Sequence, residues 1–158
     1  MASTKKDKMC AGASAGGHMN QLLLLLEQSE CWPIQPEFFV TTMPQLSKTL
    51  KKKGRTYVIG ECNRHHPVET LKVIGRAIRI VLQEKPNIIL TTGSMPIAMF
   101  CLVAKLFRAK IIWIDSVANT QKFSLSGRLM VHLADLFLTQ WPALAERHPK
   151  AEYAGEII

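Results

Sequence analysis

The sequence predicts an α/β fold: a Rossmann-like parallel sheet with helices on both faces. Three observations lead there. Strand-like and helix-like stretches alternate along the chain, the order from which parallel sheets are built. Two strand candidates, Asn87-Ile-Ile-Leu-Thr-Thr92 and Ile111-Ile-Trp-Ile114, are apolar runs of the kind buried on both faces. Two strand candidates also run into a glycine turn that opens a helix, the junction at which such sheets bind ligands.

The elements follow in order. Residues 9–13 form a short strand, 14–18 a glycine-rich turn, and 19–28 a helix rich in Leu and Gln. The prolines of Cys31-Trp-Pro-Ile-Gln-Pro36 mark a loop, and 38–42 is the second strand. Pro44 suits a helix start; that helix runs to about Lys53 and stops at Gly54. Residues 56–59 are a strand and 60–67 a loop. Residues 68–84 form a long helix, ended by Pro86. After the strand at 87–92, Gly93 turns the chain into an apolar helix, 97–107. The remaining elements are a strand at 110–115, a loop at 116–123, a helix at 125–134, a strand at 136–139, a short helix at 142–147 and a short strand at 152–154.

Composition narrows the class. The 158 residues fit one domain, with a polar tail over 1–8 and a Rossmann-like domain over 9–158. At 47% hydrophobic residues the chain can bury a core. Cys10, Cys31, Cys62 and Cys101 lie far apart with no C-x-x-C pair, so reduced cytosolic thiols are expected. The start lacks the apolar stretch of a secretory signal. The longest apolar run, around 96–106, is well short of the roughly 20 residues that span a bilayer. A net charge of +8 favours an anionic partner: nucleic acid, an anionic membrane surface or a phosphorylated ligand.

Ligands of parallel sheets bind at the carboxyl ends of strands. That rule selects the loops at 14–18, 63–66, 92–94 and 115–119, which are expected to converge on one rim. In Gly12-Ala-Ser-Ala-Gly-Gly-His18 the glycines permit close backbone approach, and the next helix offers N–H groups to a phosphate. The segment lacks the Lys-[Ser/Thr] of a P-loop and does not fit G-x-G-x-x-G; the other reading is a tight packing turn. Thr91-Thr-Gly-Ser94 repeats the junction, with Ser94 alternatively a plain helix cap. Asp115-Ser-Val-Ala-Asn119 ends a strand, so Asp115 can deprotonate or orient a hydroxyl, or merely cap its loop.

Lys72, Arg76 and Arg79 share a face of the 68–84 helix beside apolar residues. Such a helix either lies on an anionic membrane or is a core helix with a solvated cationic side. His65-His66 has no third ligand nearby and is no metal site; His132 reads as a structural helix residue. No metal or other cofactor is expected.

In combination, several motifs are familiar: Ser14-Ala-Gly-Gly-His18, Thr91-Thr-Gly-Ser94, Ile114-Asp-Ser116, Leu125-Ser-Gly-Arg-Leu129, Ala134-Asp-Leu-Phe137 with Gln140-Trp141, and Tyr153-Ala-Gly155. The ordered set, spanning nearly all of the chain after Lys8, resembles the anchoring subunit of the UDP-N-acetylglucosamine transferase that extends dolichol-linked oligosaccharides. It is closer still to bacterial polysaccharide-biosynthesis proteins of the PssD type, and more distantly similar to the amino-terminal domain of MurG. The resemblance implies the acceptor-side half of a GT-B glycosyltransferase divided between two polypeptides. A partner supplies the nucleotide-sugar domain, and the acceptor is a lipid-diphosphate-linked sugar. The sequence stops near where a single-chain relative enters its interdomain linker.

On that reading His18 or Asp115 is the base. Ser14, Gly16, Gly17 and Asn119 line the acceptor and phosphate side, and Gly93 and Ser94 widen the cleft. Lys72, Arg76 and Arg79 face the membrane, while Ile157 and Ile158 offer a docking point to the partner. No Asp-x-Asp metal site is present. The expected location is cytoplasmic, peripheral on the inner face of the cell membrane. Three departures from the resembled proteins stand out. The eukaryotic subunits carry an amino-terminal membrane helix not seen in this sequence, so membrane contact is expected to be peripheral. The MurG loop has one more glycine than the first glycine loop here, and Asp115 stands where the resembled proteins usually carry Glu. The rival class is a basic nucleotide- or nucleic-acid-binding module. Aromatic content of 7%, without basic–aromatic interleaving, argues against a nucleic-acid partner.

Overall fold

A computed structural model describes residues 7–62 and 67–157. The loop expectation at 63–66, most of the polar tail and Ile158 fall outside the described residues. The elements in chain order are β1 (Met9–Ala13), α1 (Gly17–Glu27), a 3-10 turn (Ser29–Cys31), β2 (Pro36–Thr41), α2 (Pro44–Lys51), β3 (Arg55–Val58) and α3 (Pro67–Glu84). They continue with β4 (Ile88–Thr91), α4 (Met95–Leu106), β5 (Lys110–Ile114), α5 (Leu125–Met130), β6 (Leu136–Thr139), α6 (Pro142–Arg147) and β7 (Ala151–Tyr153).

The strands form one seven-stranded sheet in the order β3-β2-β1-β4-β5-β6-β7. Every ladder is parallel. The chain winds outward from β1 to β3, then crosses back to β4 and winds the other way. Between β1 and β4 the winding reverses, and the loops leaving their carboxyl ends part to open a crevice.

Each layer is held by its own apolar set. Phe38, Ile89, Phe100, Ile111, Trp113 and Phe137 are fully buried in the cluster that also takes Val73 and Ala77 of α3 and Ile97 of α4. Met19, Leu22 and Leu50 bury α1 and α2 against Ala11, Ala13 and Phe39. A third group, Met9, Leu90 and Ile114, is covered by Leu25 of α1 together with Trp32, Ile34 and Ile157. Truncating a fully buried aromatic such as Trp113 to alanine costs about 3–5 kcal/mol.

The element order matches the sequence expectation, and the differences are local. The helix expected over 125–134 ends at Met130. Tight turns follow, with the amides of Leu133 and Ala134 both donating to the Met130 carbonyl. Asp135 fixes the chain there: its carboxylate accepts from Ile111 N–H at 2.8 Å and its own N–H donates to the Ile111 carbonyl at 2.9 Å. His132 therefore sits in a turn, not inside a helix. The last strand begins one residue early, because Ala151 is buried and pairs with Phe137.

Candidate functional site

The β1–α1 turn and the β4–α4 turn meet through two reciprocal bonds. The Thr92 hydroxyl donates to the His18 carbonyl at 2.6 Å, and His18 Nδ1 lies 2.7 Å from the Thr92 carbonyl. A carbonyl only accepts, so Nδ1 carries a proton, and in the neutral imidazole Nε2 keeps the free lone pair. Gly93, at φ +110°, makes room for that imidazole. A Cβ there would lie 3.2 Å from His18 Cε1 and 3.2 Å from Trp113 Cζ2. The glycine expected to widen the cleft instead holds the ring of His18 in place.

Ser94 also departs from expectation. Its backbone takes φ +103°, rare for a side-chain-bearing residue, and its hydroxyl does not cap α4. The Ser94 Oγ is enclosed without a hydrogen-bond partner among the described residues. At the other turn Gly16 takes φ +82° and directly precedes α1. Nothing lies within 4 Å of a Cβ built on Gly16 or Gly17, so the turn faces open space on the ligand side. Ser14 is buried at its base.

A cleft of about 900 Å³ lies beside this junction, at the N-terminal turns of α3, α4 and α5. His18 and Ser94 line it, as do Glu61, Cys62 and Thr70 on the α3 side. Met95, Met99 and Leu125 give it an apolar wall, completed by Ser124 and Ser126. Neither Lys nor Arg lines it among the described residues.

Asp115 sits behind this wall and does not line the cleft. Its carboxylate, 2% exposed, accepts from Asn119 Nδ2 at 2.9 Å. A Cβ on Gly127 would come within 2.5 Å of Asp115 Oδ1, so α5 can pack here only with glycine at that position. Burial pushes the Asp115 carboxyl above its usual range. Asn119, the Trp113 indole, His18 and the Ser116 amide favour the charge without offsetting that burial. The indole N–H favours the carboxylate by proximity, since it has no hydrogen-bond partner in good geometry. Asn119 lines a neighbouring hollow of about 460 Å³, beyond Ser124 and Leu125. The three loops thus share one rim, but only His18 and Ser94 of the expected residues reach the cleft.

On α3 the three cations have separate fates. Lys72 is paired with Glu69 at 2.8 Å. Arg76 donates to the Ile59 carbonyl at 3.0 Å, its guanidinium lying 2.6 Å from where a Gly60 Cβ would be. Arg76 is therefore tied to the end of β3 rather than free for a membrane. Arg79 is exposed, with no ion pair among the described residues. Val68, Leu71, Ile78 and Leu82 of the same helix are exposed as well. Ile157 is half-buried against the third core group, and its N–H donates to Gln140 Oε1 at 2.8 Å. It is not the free end that a pure docking residue would be.

The sequence did not point to Glu61, Cys62, Thr70, Met95 or Met99. Only Leu125-Ser-Gly-Arg-Leu129, noted as a motif, marked the α5 wall. No helix of the described residues is long and apolar enough to cross a membrane. No group of three or more His, Cys, Asp or Glu side chains among them could hold a metal ion.

Comparison with known proteins places this geometry. MurG from Acinetobacter baumannii superimposes with a TM-score of 0.71 at 18% identity, over 95% of this chain and 44% of that one. UDP-GlcNAc 2-epimerase from Methanocaldococcus jannaschii gives 0.68 at 14%, over 94% of this chain and 46% of that one. The chain thus spans under half of either solved chain, and at these identities they share its fold. A protein named UDP-N-acetylglucosamine transferase subunit ALG14 from Yarrowia lipolytica is 26% identical over 96% of this chain and 81% of its own length. The human protein of that name is 32% identical over 56% of this chain and 44% of its own length. The family described as oligosaccharide biosynthesis protein Alg14 like matches residues 9–157, and it is to this family that the chain belongs.

Proposed function

We propose that this chain is the acceptor-side half of a two-chain GT-B glycosyltransferase, moving a sugar from a UDP-sugar held by a partner to a lipid-diphosphate-linked acceptor. The observation that carries the reading is the His18 junction: at the reversal point of a MurG-like sheet, one imidazole has Nδ1 fixed and Nε2 free beside a cleft. The names of its family relatives supply the reaction class.

In the reaction the acceptor hydroxyl oxygen attacks the anomeric carbon, UDP leaves with the bonding pair, and the configuration inverts. His18 Nε2 takes the hydroxyl proton. Asp115 is the weaker candidate for that role, because it is enclosed behind α5. It instead offsets charge developing on the nearby ring. Among the described residues the cleft wall offers no side-chain cation to the diphosphate. Backbone N–H groups at the starts of α1 and α4 meet it, with Gly16 and Gly17 permitting the approach. The outer face of α3 rests on an anionic membrane surface at the cytoplasmic side, through Arg79, Lys72 and the exposed Val68, Leu71, Ile78 and Leu82.

The test is transfer by the assembled pair. His18→Ala and His18→Gln should keep the fold and lower kcat by about 10²–10⁴-fold, the usual cost of losing a general base. Normal turnover by both would move the base to the partner or to the substrate.

A further inference from the structure

Gln140 follows β6, is 1% exposed and does not line the cleft. Its amide joins three parts of the chain. Nε2 donates to the Asp115 carbonyl at 2.9 Å and lies 3.4 Å from Gln21 Oε1 of α1. Oε1 accepts from Ile157 N–H at 2.8 Å. The orientation is forced, because the Asp115 carbonyl only accepts and the Ile157 amide only donates. A flipped amide would set carbonyl against carbonyl and N–H against N–H. The next residue acts on the same loop: Trp141 Nε1 donates to the Val117 carbonyl at 2.8 Å.

We propose that Gln140 is a positioning residue of the acceptor site, holding the Asp115 backbone through its amide and making the setting of the 115–119 loop depend on the segment that carries Ile157. The proposal rests on the reading above that the Asp115 side of the cleft takes part in transfer. The geometry favours it over simple core filling. An apolar side chain would fill the volume, whereas this amide satisfies a backbone acceptor of one segment and a backbone donor of another. Ile157 also borders a hollow of about 210 Å³ with Leu24, Leu25, Gln28 and Trp32 on the α1 side. A contact made there reaches the Asp115 loop through one buried side chain.

Two variants separate the bonds. Ile157→Pro removes the donor to Gln140 while keeping an apolar side chain. Gln140→Glu keeps an acceptor for Ile157 and sets a carboxylate oxygen against the Asp115 carbonyl. In each, amide hydrogen exchange over 116–119 should quicken about tenfold, the order of one lost hydrogen bond. In the assembled enzyme kcat should fall about 10–100-fold with KM within about twofold, as expected of a misplaced group that still binds substrate. Wild-type exchange over 116–119 in either folded variant overturns the coupling. The reading that the Asp115 side of the cleft takes part in transfer fails separately, if Asp115→Asn and His18→Ala both turn over normally while exchange in the two variants still quickens.

Discussion

His18 shows how much of this site is set by its neighbours. Its tautomer follows from one carbonyl, that of Thr92, and its ring position from the missing side chain of Gly93. Gly93→Ala must strain φ +110° and push on both His18 and Trp113, so it should cost about 1–3 kcal/mol in unfolding free energy and depress transfer together with stability. Gly17→Ala makes the contrast. With nothing within 4 Å of its Cβ, it should leave the melting temperature nearly unchanged and still lower transfer if a phosphate approaches there. Asp115 adds a pH signature. Its folded carboxyl titrates above the unfolded value of about 3.9, so ionisation costs stability as pH rises from that value through the folded one. Asp115→Asn should remove that downward slope in a melting series from about pH 3 to pH 7 and should not lower the melting temperature at neutral pH. A steeper slope in the variant would contradict the assignment. His18, Ser94 and Asp115 were visible in the sequence because strand–turn–helix junctions announce themselves. Glu61, Cys62 and Thr70 were not, since their nearness to His18 depends on how α3 crosses back over the sheet.

Helix α3 carries two kinds of information on opposite sides. Its inner face, with Val73, Ala77, Ile80 and Val81, is core. The sequence set the cationic positions apart from the apolar ones but did not divide the apolar ones, of which Leu71, Ile78 and Leu82 are exposed. Its outer face mixes cations with exposed apolar residues, a pattern from which sequence alone cannot separate a membrane surface from plain solvated charge. The structure removes Arg76 from the count by tying it to Ile59. Replacing Lys72 and Arg79 with Gln should weaken binding to anionic vesicles by about 1 kcal/mol per charge, while Arg76→Gln should act mainly through stability. Equal vesicle binding by the double variant and the wild type would return α3 to a solvated helix. The far end of α3 is structural. Glu84 is 3% exposed, ion-paired with Lys8 at 2.6 Å and Arg55 at 3.1 Å and hydrogen-bonded by Tyr57. Burial alone would raise its carboxyl, but the bonds from Lys8 and Tyr57 and the charges of Lys8 and Arg55 hold it below the usual range. Its stabilisation is therefore present above the unfolded value and is lost as pH falls through the lower folded one. Glu84→Gln should cost about 1–3 kcal/mol in denaturant unfolding at about pH 7 and much less at about pH 3. The Lys8–Glu84 pairing spans 76 residues and leaves no trace in local sequence.

The whole molecule follows from strand order. Alternating elements gave the parallel sheet, and apolar strands gave its two covered faces; the reversal between β1 and β4 then sets where the site must lie. The order itself was legible only through motif resemblance, because periodicity fixes what an element is and not which neighbour it takes. The same fold serves MurG and UDP-GlcNAc 2-epimerases, so it cannot name the reaction, and the site together with the family match carries that step. On the proposed reading the cleft is one wall of an active site whose other wall is a nucleotide-sugar-binding chain. The most direct test is transfer of labelled sugar from a panel of UDP-sugars to a polyprenyl-diphosphate-linked acceptor, using this chain alone, the candidate partner alone, and the two mixed. Transfer should appear only in the mixture and be lost again with His18→Ala; robust transfer by this chain alone would refute the divided active site.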